Sequence, residues 1–253
     1  MAERPSPPAS PRITPVDTQA VPARPRADGG TVVAVYGSRP DLGVATVAPA
    51  LALAFRSLGA EEVGLAELDP RLASRRRSAG MATQSAPADP MSEPNADAAG
   101  RVDIPGVDAA LVRRPDGVWT LAMSRPRATA IGDAKAVAMT VEAMRARFPV
   151  SVTALGHQVN ERTLAAFDAA HRIVLITEGA VPSVRGTQRV LRLFRRLNYP
   201  DEKMCVVVVS RSHAPGTLRV ADIAAALKRE VYWRIADGGE GDLSGLASRL
   251  LER

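Results

Sequence analysis

Largely apolar runs of five to seven residues recur along this chain, each parted from the next by a stretch long enough for a helix. Residues 31–36, 63–68, 118–123, 150–155, 172–177, 203–209 and 231–235 read as strands. Helices are expected over 47–58, over 133–148 with Val137, Val141 and Met144 on one face, over 162–170 behind an Asn160 cap, and over 183–197 and 220–228. A strand apolar on both sides must be covered on both faces, and helical crossovers join parallel neighbours. The pattern therefore predicts an α/β domain: a mostly parallel sheet with helices on both faces. No internal repeat interrupts it.

Two stretches lack this pattern. Residues 1–30 hold seven of the 20 prolines, with Ser, Ala and Arg, and read as a disordered tail. Residues 74–102 begin near Arg75, Arg76 and Arg77, continue through Ser- and Pro-rich sequence, and read as a disordered insertion in a single domain over 31–253. Aromatic residues make up only 4%, so the core is expected to rest on Val, Leu, Ile and Ala. The single cysteine, Cys205, lies inside an apolar run and reads as a buried thiol. With no second cysteine, no apolar run near the ~20 residues that span a bilayer and no hydrophobic signal core, a cytoplasmic protein is expected. The net charge of +6 comes almost wholly from arginine and favours anionic partners, either nucleic acid or a membrane surface.

The first strand, turn and helix, residues 31–59, have the frame of a phosphate cradle. The apolar run ending at Tyr36 enters Gly37-Ser38-Arg39-Pro40-Asp41-Leu42-Gly43, and an Ala- and Leu-rich helix follows, stopped by Gly59. Strand, glycine turn and helix N-terminus can point backbone N–H groups at an anion. A working G-x-x-x-x-G-K-[ST] cradle also needs a Lys for the terminal phosphates and a hydroxyl for magnesium. Val44 and Ala45 follow Gly43 instead, Asp41 adds a negative charge, and Pro40 removes a donor.

The order of elements resembles the MinD/ParA group of P-loop ATPases, and within it the CpaE/TadZ branch tied to pilus assembly. The most specific match runs from Asn160 through Phe167 and His171 to Thr177-Glu178, where a helix leads to a strand ending in a "Thr-Glu" turn. Its continuation through Val181-Pro182-Ser183 to Asn198-Tyr199-Pro200 is equally typical, and Glu67-Leu68-Asp69-Pro70 is similar to the family's strand end "Asp-Leu-Asp-Pro". The departures fall on functional positions. The family's Lys-Gly-Gly-x-Gly-Lys-Thr-Thr aligns with Arg39 to Thr46, Ala154 stands where a magnesium-associated Asp belongs, and Ser210 stands where an Asn reads adenine.

The resemblance thus implies a vestigial nucleotide site at Gly37, Arg39, Gly43, Thr46, Glu67 and Asp69, without catalytic residues or a metal, and with no ATP or magnesium cofactor. Arg39 has two readings, a substitute phosphate ligand or an exposed loop arginine. Glu67 and Asp69 could hold magnesium or cap the next turn. Arg185, Arg189, Arg192 and Arg196 recur at helical spacing and read either as a grip for nucleic acid or an acidic partner, or as a solvated face. The histidines His157, His171 and His213 are scattered and suggest no metal site. The amphipathic C-terminal run, with Leu243, Leu246, Leu250 and Leu251, suits a membrane surface or a cover for the sheet.

Two functions follow from the resemblance. One is a non-catalytic scaffold or localisation factor that works through protein partners, as in pilus or secretion-system assembly. The other is an active ATPase in division placement or DNA partitioning with an atypical nucleotide site. A homodimer is expected in either case. Arg39 and Asp41 would pair across its two-fold axis, beside an apolar contact from Leu42.

Overall fold

The computed structural model describes residues 29–69, 71–72, 107, 110–122, 134–210, 217–236 and 243–252. Among these, eight strands form one sheet: β1 (Thr31–Gly37), β2 (Val63–Glu67), β3 (Leu111–Arg113), β4 (Trp119–Ala122), β5 (Val150–Ala154), β6 (Arg172–Glu178), β7 (Met204–Val209) and β8 (Trp233–Ile235). The α-helices described over their length are α1 (Val44–Ser57), α2 (Ala134–Arg147), α3 (Glu161–Ala169), α4 (Val181–Arg196), α5 (Val220–Leu227) and α6 (Leu243–Leu251). The strand order is β3-β4-β2-β5-β1-β6-β7-β8, and every pair is parallel except β3 with β4. The expected α/β architecture is present. The expected tail over 1–30 and insertion over 74–102 lie outside the described residues, except for Gly29 and Gly30.

Those two glycines belong to the domain. Gly30 N–H donates to the Arg145 carbonyl at 2.7 Å and Thr31 N–H to that of Pro149 at 2.9 Å. A Cβ on Gly30 would lie 1.7 Å from the Phe148 oxygen, so only glycine fits where the chain enters β1.

Alternation along the central strands divides the core in two. Val32, Ala34 and Tyr36 of β1 face a layer built from α2, α3, α4 and α5. Val33 and Val35 face α1 and α6 on the opposite side. The core rests on Val, Leu, Ile and Ala as expected, and all four phenylalanines are buried within it. Tyr36, Phe167, Phe194 and Tyr199 form an edge-to-face chain with centroid separations of 5.4, 5.0 and 5.0 Å. It runs from the end of β1 to the turn after α4 and fixes α3 and α4 over the sheet. Cys205 is buried, and burial pushes its thiol up to about 11.

Strand β3 was absent from the sequence reading. It is only three residues long and pairs antiparallel with β4 through a tight turn, in which Arg114 N–H donates to the Val118 carbonyl and Gly117 adopts φ 84°. Pro115-Asp116-Gly117 is the signal that marks such a turn. The C-terminal helix α6 packs the buried Leu243, Leu246, Ala247 and Leu250 into the layer with α1. Arg249 Nη1 donates to the Tyr232 carbonyl, and its guanidinium lies 4.3 Å above that ring. Of the two readings of this run, the helix that covers the sheet is the one observed. No helix among the described residues is long and apolar enough to cross a membrane.

Candidate functional site

The end of β1 passes through Gly37 into the turn Ser38–Gly43, and Gly43, at φ 81° and ψ 19°, sets the chain into α1. The turn is filled by its own side chains. Leu42 is 1% exposed and Val44 is buried. A Cβ placed on Gly37 would meet Leu42 Cβ and Val44 Cγ2, each at 3.1 Å. Glycine at 37 therefore leaves room for the Leu42 and Val44 side chains. Arg39 binds Asp41 two residues on, Nε to Oδ1 at 3.1 Å and Nη2 to Oδ2 at 2.8 Å. Asp41 raises the Arg39 pKa further above its ordinary value. The Thr46 hydroxyl donates to the Gly43 carbonyl at 2.9 Å, which also accepts from the backbone N–H groups of Thr46 and Val47.

This turn is also anchored to α4. The Ser38 hydroxyl donates to the Ser183 carbonyl at 3.4 Å, and a Cβ on Gly186 would lie 2.6 Å from Ser38 Oγ. The Ser183 hydroxyl donates in turn to Glu178 Oε1 at 2.9 Å. Nothing in the sequence marked Ser38, Ser183 and Gly186 as one contact, since Gly186 looks only like a weak point in a helix.

The carboxylates stand apart from the turn. Glu67 ends β2, is 2% exposed, and is in register with Ala154 of β5, which is in register with Val35 of β1. One whole strand thus separates Glu67 from β1, a span of about 10 Å at the usual spacing. Asp69 Oδ1 accepts the Arg71 N–H at 2.9 Å, so the turn-capping reading is realised, and its Oδ2 lies against Gly156. The structure therefore groups Gly37, Arg39, Gly43 and Thr46 in one turn, and leaves Glu67 and Asp69 two strands away. Ser210 Oγ accepts from Arg234 Nε at 2.9 Å. Asn160 and Thr163 form the expected cap, with Thr163 N–H donating to Asn160 Oδ1 at 3.1 Å and Asn160 N–H to Thr163 Oγ1 at 2.8 Å.

Arg185, Arg189, Arg192 and Arg196 are all exposed along α4, and among the described residues no salt bridge reaches them. Arg192 bonds to Gln188 Oε1 at 3.3 Å within the same helix. His171 is structural: its Nδ1 accepts the Val32 N–H at 3.0 Å, and its backbone N–H donates to the Val32 carbonyl at 2.9 Å. Burial holds its pKa below the ordinary value, helped by the positive charges of Arg145, Lys203 and Arg172. His213 lies outside the described residues. Among the described residues, no group of three or more His, Cys, Asp or Glu side chains could hold a metal ion.

The arrangement is similar to several solved structures. The MinC:MinD cell division protein complex of Aquifex aeolicus matches at 18% identity over 87% of this chain and 86% of that chain, with a TM-score of 0.63. A ParA family ATPase of Chlorobium tepidum matches at 10% identity over 88% and 94%, with a TM-score of 0.69. Cobyrinic acid a,c-diamide synthase of Mycobacterium smegmatis, with bound ADP and magnesium, matches at 19% over 88% and 94%, with a TM-score of 0.63. The fold is that of the MinD/ParA-type P-loop ATPases. No protein-family model and no curated protein matches the sequence.

That fold implies a magnesium nucleotide at the β1–α1 turn, and the residues present do not fit one. Leu42 and Val44 bring buried apolar side chains to the turn, and Val44 and Ala45 after Gly43 bring neither an ammonium group nor a hydroxyl. Asp41 sets a carboxylate beside the turn, and Ala154 brings no metal ligand to the end of β5. Arg39 is the one cation in the turn and is already held by Asp41.

Proposed function

We propose that this chain is a non-catalytic protein of MinD/ParA fold, of the CpaE/TadZ-like kind, acting as a scaffold or localisation factor in pilus or secretion-system assembly. The packing of Leu42 and Val44 against Gly37 is the observation that carries this reading, since it replaces the phosphate cradle with apolar contact. Phosphoryl transfer depends on charge stabilisation from lysine, metal and donor-rich turns. The aligned positions here are Val44, Ala45 and Ala154. On this reading the protein has no ATP or magnesium cofactor and works through protein contacts, as a homodimer on the cytoplasmic side. The likeness to a MinD seen together with MinC supports protein partners in a general way.

Isothermal titration of the full chain with magnesium ATP tests the proposal. No binding isotherm is expected at millimolar nucleotide. Micromolar, magnesium-dependent binding would instead assign the chain to the active ATPases of this fold.

A further inference from the structure

We propose that the cleft beyond the ends of β2 and β5 is a site for a small carboxylate with a short apolar body, bound through Arg162. The cleft holds about 250 Å³, with Leu68, Val137 and Leu155 as its apolar wall and Asp69, Arg71 and Arg162 as its charged groups. Strand β2 ends at Glu67 and β5 at Ala154, so Leu68, Asp69 and Leu155 are the first residues past two adjacent parallel strands. Ligand crevices of open α/β sheets form at such carboxyl ends.

Arg162 Nη2 donates to the Leu68 carbonyl at 3.2 Å, which fixes the guanidinium across the cleft. Its Nε is buried and has no acceptor among the described residues. A buried donor without a partner is unfavourable, and a turn of the guanidinium about its Leu68 bond, toward an acceptor in the cleft, would remove that penalty. The neighbouring side chains do not supply one. Asn160 and Thr163 are bound to each other in the α3 cap, and Asp69 Oδ1 accepts the Arg71 N–H.

The chemistry of the ligand follows from these groups. A guanidinium donor selects an oxyanion. The Asp69 carboxylate on the same wall disfavours a second negative charge, so a monoanion suits the cleft better than phosphate. The apolar wall requires an aliphatic portion, and 250 Å³ at roughly 30 Å³ per water-sized group admits about eight non-hydrogen atoms. Hexanoate has that size. The site lies apart from the β1–α1 turn, so nucleotide binding there would leave this inference untouched.

The test follows the Nε–Hε signal of Arg162 by NMR in the full-length, isotopically labelled chain during titration with hexanoate, hexanol or inorganic phosphate. Saturable movement with hexanoate is expected, and none with hexanol or phosphate at equal concentration. Arg162→Gln, read through the Gly156 amide, is expected to weaken hexanoate about ten- to a hundredfold, with Arg162→Lys as a control that retains the charge. Gln158→Trp, at an exposed position lining the cleft, is expected to block entry without disturbing the core. Saturable phosphate binding at Arg162 overturns the proposal. So do an unresponsive Arg162 signal, unchanged hexanoate affinity in Arg162→Gln, and unchanged affinity in Gln158→Trp.

Discussion

At the scale of single residues, Leu42 decides what the β1–α1 turn can be. A leucine that is 1% exposed and packed against Gly37 behaves as core. Leu42→Ala is therefore expected to lower unfolding stability by about 2–5 kcal/mol in urea titrations, as core truncations do. An exposed turn residue would cost almost nothing. The same packing explains why Val44→Lys with Ala45→Thr should not restore ATP binding while Leu42 remains: the missing side chains return, but the filled turn does not open. His171 makes a different prediction. Its native pKa is depressed, so above about 6.5 the histidine is neutral in both states and its bond to Val32 N–H is intact. As pH falls below 6.5 the unfolded chain takes up the proton first, and stability drops until pH passes the native value. Urea midpoints at pH 7.5 and 5 should differ, and His171→Asn, which keeps an acceptor for Val32, should shrink that difference. An unchanged difference would remove His171 as its source.

At the scale of elements, most of the architecture was legible and the reasons are specific. Strands β1, β5, β6 and β7 are continuous apolar runs between helices, so burial on both faces gave them away. The α3 cap was legible because Asn160 has a local role that no distant contact overrides. Strand β3 was not, because three residues carry too little periodicity and only the Pro-Asp-Gly turn betrays it. Of the candidate site, the glycine turn was legible from its own residues. The collapse of Leu42 was not, because burial of a turn leucine depends on what packs above it. Within one chain Arg39 and Asp41 bond to each other inside the turn, where two residues of separation make the pair cheap to order. The anchoring of α4 has a consequence of its own. Gly186→Val would drive a side chain into Ser38 Oγ, where even a Cβ would lie 2.6 Å away. A loss of thermal stability is expected, and Ser38→Gly combined with it should recover part of that loss.

For the whole molecule, the sheet order and the two helix layers place the chain among the MinD/ParA-type folds. On the proposed reading its dimer forms without a nucleotide. Light scattering over a concentration series should give the same mass with and without magnesium ATP. A monomer at every concentration removes the dimer from the proposal, and a mass that rises with ATP removes the non-catalytic reading. The exposed arginines of α4 belong to this scale too, because helix spacing lines them up along one side of the domain, open to an acidic surface. The filled turn has one further consequence. A small molecule can shift a protein between two states only through a difference in affinity for them. On the proposed reading, a turn closed by its own leucine offers ATP no such difference and does not act as a timer. How long this chain stays at any place in the cell would then be set by how much of it is made and by how fast its partners let go.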